Sequence, residues 1–150
     1  MRVVIQRVQK ATLSIENKTW SEIDSGLLIL LGIEENDTTE DVDWLCKKIS
    51  LLRIFPDVNG AMNLSINEVA GDIMVISQFT LHAKTKKGNR PSFIKAARPE
   101  SAIPLYEEFI EVLEKLIRKE VKRGVFGAYM QVSLVNDGPV TILIDTKNKE

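Results

Sequence analysis

Tyr129-Met130-Gln131-Val132-Ser133-Leu134-Val135-Asn136-Asp137-Gly138-Pro139-Val140-Thr141-Ile142-Leu143-Ile144-Asp145 is one long β-forming run with an interruption at its centre. Whether Asn136–Pro139 closes a hairpin or breaks a single strand decides how the chain is folded. Asn-Asp-Gly supplies residues that tolerate positive φ in a tight turn, so the plain reading is a hairpin. Pro139 complicates it. Proline removes a ladder donor and restricts the residue before it. An X-Pro bond also reaches the cis form for only about 0.5–1 kcal/mol. A Gly-Pro pair at a strand end can therefore present two carbonyls in a fixed and unusual direction. Both readings stand on the local residues alone.

Upstream, Phe126, Ala128, Met130, Val132 and Leu134 alternate onto one strand face. Pro99 to Arg123 predicts a long helix with an apolar stripe through Tyr106, Phe109 and Leu113, ended by Gly124. Pro104 fits that helix only if the first turn begins about there. Gly71–His82 alternates cleanly and predicts a strand, with Ser77, Phe79 and Leu81 on one face and Gln78, Thr80 and His82 on the other. Leu27–Leu31 is a continuous apolar run that suits a strand buried on both faces. Asp37 and Glu40 resemble a capping box, and residues 38–52 follow with helical apolar spacing. Residues 2–9 predict a strand; Ala11–Glu16 and Lys18–Ile23 predict a hairpin about Asn17. Arg53–Phe55 reads as a short strand, and residues 61–69 show no pattern. The whole predicts a single α/β domain over residues 1–150, with curled, barrel-like β-sheets covered on one side by two helices.

Composition narrows the chemistry. Net charge is −1, so nucleic-acid contact requires a local basic patch. Lys84, Lys86, Lys87 and Arg90 form one on a loop whose glycine spacing is not that of a P-loop. Either it is a solvated loop or it meets phosphates. The one cysteine, Cys46, sits on a helix stripe, excludes an intramolecular disulfide and reads as a buried hydrophobe. The one histidine, His82, argues against a metal centre, and no cofactor is expected. In a strand, Ser77 and His82 point to opposite faces and cannot pair as nucleophile and base. No Gly-x-Ser-x-Gly elbow is present. No apolar run approaches the roughly 20 residues of a membrane span, so a cytoplasmic protein is expected. The usual means of activating a nucleophile are missing. Either the protein is no enzyme, or its substrate brings reactive groups and the protein supplies position and backbone dipoles.

Ser77-Gln78-Phe79-Thr80-Leu81 together with Asn136-Asp137-Gly138-Pro139-Val140-Thr141 resemble the two signature motifs of the D-aminoacyl-tRNA deacylase family. Met1–Val8, Lys87–Phe93 and Phe126–Met130 are similar to family segments in the same order. The resemblance implies hydrolysis of the ester between a D-amino acid and the 3′-terminal adenosine of tRNA. It also implies acceptance of glycine, including glycine mischarged on tRNA-Ala. The ribose 2′-hydroxyl would assist cleavage, and N–H groups near Phe79 and Thr80 would hold the oxyanion beside Ser77 and Gln78. Thr80 would position rather than attack. The resemblance further implies a homodimer in which a cis Gly138-Pro139 pair reaches the partner's pocket and rejects L-amino acids by its carbonyls. Arg7 would hold those carbonyls across the dimer. Met130 and Phe126 would line the adenosine or amino-acid pocket, unless they are core. Lys86, Lys87 and Arg90 would meet tRNA phosphates. His82 departs from the tyrosine common at its position. Two other readings remain: a non-catalytic tRNA- or RNA-binding module, and a related deacylase of L-aminoacyl-tRNA with a trans Gly-Pro bond.

Overall fold

The computed structural model describes residues 1–150. Its frame is a single long strand, β1 (Arg2–Ile15), which serves partners on both of its edges. At its end Glu16 and Asn17 take φ of 51° and 62°, the two successive left-handed residues of a tight hairpin turn. The chain returns as β2 (Lys18–Ile23) and β3 (Gly26–Gly32) in one continuing register, with Ala11 opposite Ile23 and Val8 opposite Gly26. The strand expected at 2–9 and the hairpin arm at 11–16 are thus one strand. Exposed Gln9 and Lys10 interrupt the apolar pattern, and the ladder to β8 shifts register between Val8 and Lys10, yet the strand runs on through both.

The other edge of β1 is covered by β8 (Gln131–Asp145), paired from Arg2–Asp145 to Ser14–Gln131. This overturns the hairpin reading of Asn136–Pro139. Both halves of β8 run the same way along β1, which is long enough to template both. Asn136 pairs with Val8 and Thr141 with Gln6, so Asp137–Val140 leave the ladder as an excursion opposite Arg7 alone. Such an insertion in one strand of a pair is an enlarged β-bulge.

β6 (Asp72–Ser77) lies parallel to β3, and the short β7 (Lys122–Arg123) lies parallel to β6. The sheet curls until Ser21 Oγ of β2 reaches Arg123 O of β7 at 3.5 Å. A small ribbon pairs β4 (Phe55–Pro56), which shares only Phe55 with the short strand expected at Arg53–Phe55, with β5 (Met62–Leu64), inside the unpatterned stretch 61–69. The strand predicted to His82 ends at Ser77, because its partner β3 ends at Gly32 and offers no ladder beyond. Gln78 N–H makes the last contact, to Leu31 O at 2.7 Å, and Phe79–His82 turn as a 3-10 helix. The alternation of side chains past Ser77 therefore does not describe the molecule.

Two helices, α1 (Thr39–Leu51) and α2 (Pro99–Ile117), pack together on one face of the sheet. Val3, Ile5, Ile29 and Val75 meet Leu45, Ile49, Phe109 and Leu113 there. The opposite, concave face holds a second cluster built on Val8, Leu13, Leu28, Met74 and Ile76. Leu27–Leu31 is buried on both faces except for half-buried Leu30, as its composition predicts. The cap of α1 differs by one residue from expectation. Asp41 accepts the Thr38 N–H at 2.9 Å, while buried Asp37 accepts the Met1 ammonium and the Glu34 N–H. α2 ends short of Gly124, with Arg118 in the left-handed cap conformation at φ 54°, since Lys122 and Arg123 are taken up by the edge of β6. Pro104 lies within the helix rather than at its start. Cys46 is buried, its thiol donating to Phe109 O at 3.5 Å, and burial pushes its pKa upward. No helix is long and apolar enough to cross a membrane.

Candidate active site

Where β6 stops, the chain turns back over the end of the sheet. The first hydrogen bond of the 3-10 turn runs from Leu81 N–H to Gln78 O at 3.2 Å, so the N–H groups of Phe79 and Thr80 precede it and are not consumed by the turn. Gln78 Nε2 donates to Thr80 Oγ1 at 2.5 Å. A carboxamide is no base, and Thr80 has no other side-chain partner, so nothing here draws off its proton.

Ser77, Gln78 and Phe79 form one wall of a mostly apolar cavity of about 260 Å³. The facing wall is Phe126–Met130, the segment between β7 and β8, bent at Gly127 with φ of 77° and closed by Ala128 N–H to Val125 O at 3.1 Å. The strand expected from Phe126 thus begins only at Gln131. Phe126 stands edge-on to Tyr106 with ring centroids 5.9 Å apart. Tyr106 is fixed by donating to Val75 O at 3.0 Å, and burial raises its pKa to about 12. Ala97 and Ala102 complete the cavity beside Leu31 and Ile33. Thr80 does not wall it, and neither does His82. His82 is 4% exposed, with Nε2 unpartnered and Cδ2 close to Gly32. No hydrogen bond joins it to Ser77. No group of three or more His, Cys, Asp or Glu is placed to hold a metal ion.

The cavity mouth is aromatic. Phe79 is 56% exposed and Tyr129 86% exposed, and Phe79 meets Phe93 edge-to-face at 5.1 Å. Phe93 follows the basic loop, whose base is closed by reciprocal hydrogen bonds between Lys84 and Ser92. Lys86, Lys87 and Arg90 are exposed on that loop.

Gly138 and Pro139 are elsewhere in the chain. Both are exposed, the bond between them is cis, and neither walls the cavity of its own chain. Gly138 takes φ of 134°, which L side chains rarely adopt. Arg7, only 8% exposed, lies beneath the excursion. Its Nε donates to Asp137 O at 3.0 Å and its Nη1 to Ile54 O at 2.5 Å. Asp137 Oδ2 stands 3.2 Å from Arg7 Nε. Asn136 spans the base: its Oδ1 accepts the Val140 N–H at 2.8 Å and its Nδ2 donates to Thr141 Oγ1 at 3.0 Å. Within one chain, the structure brings Ser77, Gln78 and Phe79 together with Phe126 and Met130, and Arg7 together with Gly138. It does not bring the two groups to one cavity.

Tyr129, Phe93, Ala97 and Asn136 carry parts of this geometry that residue chemistry did not single out. Asn136 stands in the Asn136–Thr141 motif, and Phe93 and Tyr129 in segments similar to the family's, but without a role; Ala97 carries no signal.

A family model for D-Tyr-tRNA(Tyr) deacylase matches residues 4–145. Proteins named D-aminoacyl-tRNA deacylase from Bacteroides fragilis (strain YCH46) and Flavobacterium johnsoniae are 65% and 58% identical, each over the whole of both chains. A solved structure titled c-Myc DNA Unwinding Element Binding Protein superposes with a TM-score of 0.93 at 40% identity, covering 97% of this chain and 99% of its own. A structure titled as a probable eukaryotic D-amino acid tRNA deacylase shares the fold, with a TM-score of 0.82 at 17% identity over 95% of this chain and 97% of its own.

Proposed function

The chain belongs to the D-Tyr-tRNA(Tyr) deacylase family, and from that membership we propose that it hydrolyses the ester of D-aminoacyl-tRNA, releasing free D-amino acid and tRNA. The observation that carries this reading is the apolar cavity between Ser77–Phe79 and Phe126–Met130, beside N–H groups that their own turn leaves unused. All charged tRNAs share a terminal adenosine and differ in the amino acid. A preformed apolar cavity suits the constant part, so the adenosine occupies it, against Phe126 and Met130.

The ester carbonyl then lies by the Phe79 and Thr80 N–H groups, which receive the developing oxyanion. Water attacks the ester carbon, the bond to the ribose 3′-oxygen breaks, and that oxygen takes a proton. The neighbouring 2′-hydroxyl can supply the proton relay that no side chain here offers. Ser77 and Gln78 shape the wall, and Gln78 holds the Thr80 hydroxyl in place. Glycyl-tRNA, including glycine on tRNA-Ala, fits the same site because glycine has no side chain to exclude.

Stereochemical choice is assigned to Gly138 and Pro139. They stand exposed on a clamped excursion that is not part of their own chain's cavity, and β8 pairs with β1 alone. A second copy laid along the free edge of β8 would cover that edge, which otherwise invites adventitious pairing. It would also bring Gly138–Pro139 to the partner's cavity. Their carbonyls would collide with an L side chain and spare a D one.

Purified protein is expected to release D-tyrosine from charged tRNA and to leave L-tyrosyl-tRNA intact. Equal release of both, or of neither, overturns the reading. The DNA-binding title of one structural relative raises a second possibility, binding without hydrolysis. Hydrolysis by the parent protein separates them, and Lys86→Ala with Lys87→Ala tests the loop. A deacylase using the loop for phosphates loses tRNA affinity and salt dependence but hydrolyses at saturating substrate, whereas a simple binder shows no hydrolysis at any concentration.

A further inference from the structure

Gly124 follows β7 and donates its N–H to Val75 O at 3.4 Å. Its φ is not in the left-handed region, so no turn demands glycine there. What the position lacks, with Met130 where it lies, is room for a side chain. A Cβ placed on it would overlap Met130 Sδ and stand 3.6 Å from Met130 Cε and 3.1 Å from Leu13 Cδ2. Met130 walls the cavity, and Gly124 does not.

We propose that Gly124 is a positioning residue that sets the width of the adenosine cavity, by giving the Met130 thioether a recess to lie in. The inference rests on the cavity being the adenosine site, as read above. A methyl group at residue 124 would fill that recess. Leu13, at the longer distance, need give by only a few tenths of an ångström, and its burial in the packed core leaves the larger shift to Met130. Met130 is unbranched and turns about three bonds, and the open space beside it is the cavity. Its sulfur therefore swings inward, into volume that a planar base must occupy. Because the adenosine is common to every substrate, the loss must be the same whatever amino acid is attached.

The test uses the full chain, Gly124→Ala, Met130→Ala and the double variant. D-alanyl-tRNA and D-tyrosyl-tRNA give kcat and KM. The stable analogue 3′-deoxy-3′-(D-alanylamino)adenosine gives affinity without turnover. Methyl-13C methionine spectra follow Met130 against Met1, Met62 and Met74. Gly124→Ala is expected to raise KM by roughly tenfold or more, the scale of a misplaced methylene in an apolar pocket. The factor is the same for both substrates, kcat is retained, and analogue binding weakens in step. The Met130 methyl signal moves while that of Met74 stays. Once Met130 is shortened, the substitution at Gly124 costs nothing more. An unmoved Met130 signal overturns the inference whatever the activity. So does a loss that differs between the two amino acids, a loss confined to kcat, or a double variant worse than Met130→Ala. If the parent protein neither binds the analogue nor releases D-amino acid, the adenosine reading fails, and the proposed role of Gly124 in setting that site's width fails with it. The methyl signal alone then reports where Met130 lies.

Discussion

Removing the Arg7 guanidinium breaks two long-range hydrogen bonds at once. It joins two segments remote in sequence, Ile54 before the β4–β5 ribbon and Asp137 on the β8 excursion. A hydrogen bond from a charged donor contributes about 1.5–3 kcal/mol. Ile54 O is served by a bond buried at both ends, whereas the one to Asp137 O is only part-buried, and water can replace some of it. Arg7→Ala is therefore expected to cost about 2–4 kcal/mol rather than the full sum. For a chain of this size that lowers Tm by roughly 5–15 °C. Arg7→Lys keeps the charge but lacks the planar fork. It can serve one carbonyl and not both, so about half of that loss is expected. Urea unfolding reads the stability. Hydrolysis of D- and L-tyrosyl-tRNA, well below the unfolding transition, reads the geometry of the excursion. The D-over-L ratio should fall in Arg7→Lys while the protein is fully folded. A lysine variant as stable and as selective as the parent would refute the clamp. An alanine variant that loses rate on D-tyrosyl-tRNA yet keeps its selectivity would also refute it.

Asn136→Ala removes the bridge to Val140 N–H and Thr141 Oγ1. It should cost about 1 kcal/mol in unfolding experiments and lower the D-over-L ratio more than the D rate; unchanged selectivity would mean the excursion holds itself. Thr80→Ala should keep most of kcat in single-turnover assays, and abolished turnover with normal tRNA binding would restore a nucleophilic role. Asp41 bears on pH. Burial raises its pKa, but hydrogen bonds from Lys147, Thr146 and the Thr38 N–H outweigh that and bring it to about 2. Its folded pKa lies below the unfolded value, so the stability it contributes is complete above about pH 4 and disappears as pH falls towards 2. Asp41→Asn should be less stable than the parent at neutral pH, and the gap should close over that acid range in urea titrations; a gap independent of pH would refute the assignment.

Much of the architecture was legible from local pattern. The helix over 38–52, the buried run Leu27–Leu31 and the turn at Asn17 depend on neighbours a few residues apart. The misreadings share one cause, which is pairing across the chain. Alternation through Thr80 and His82 looked like strand, yet a strand persists only while a partner runs beside it, and β3 stops at Gly32. The helix expected up to Arg123 gave way to Arg118 as cap and to the edge of β6 as a competing partner. Asp37 looked like a cap but was drawn to the buried Met1 ammonium.

Asn136–Thr141 shows both sides of this. Residue chemistry by itself determined that the stretch interrupts a β-forming run, that Asn-Asp-Gly tolerates positive φ at its centre, and that Pro139 offers no donor. Those are properties of φ and of missing atoms, which the residues carry wherever they are placed. Only the tertiary structure decided that the interruption is an excursion from one continuous strand, because β1 is long enough to pair with both halves. Tertiary structure also decided that Arg7, Ile54 and Asn136 clamp it. Hydrogen bonds between residues 47 and 130 positions apart exist only once the chain has closed on itself.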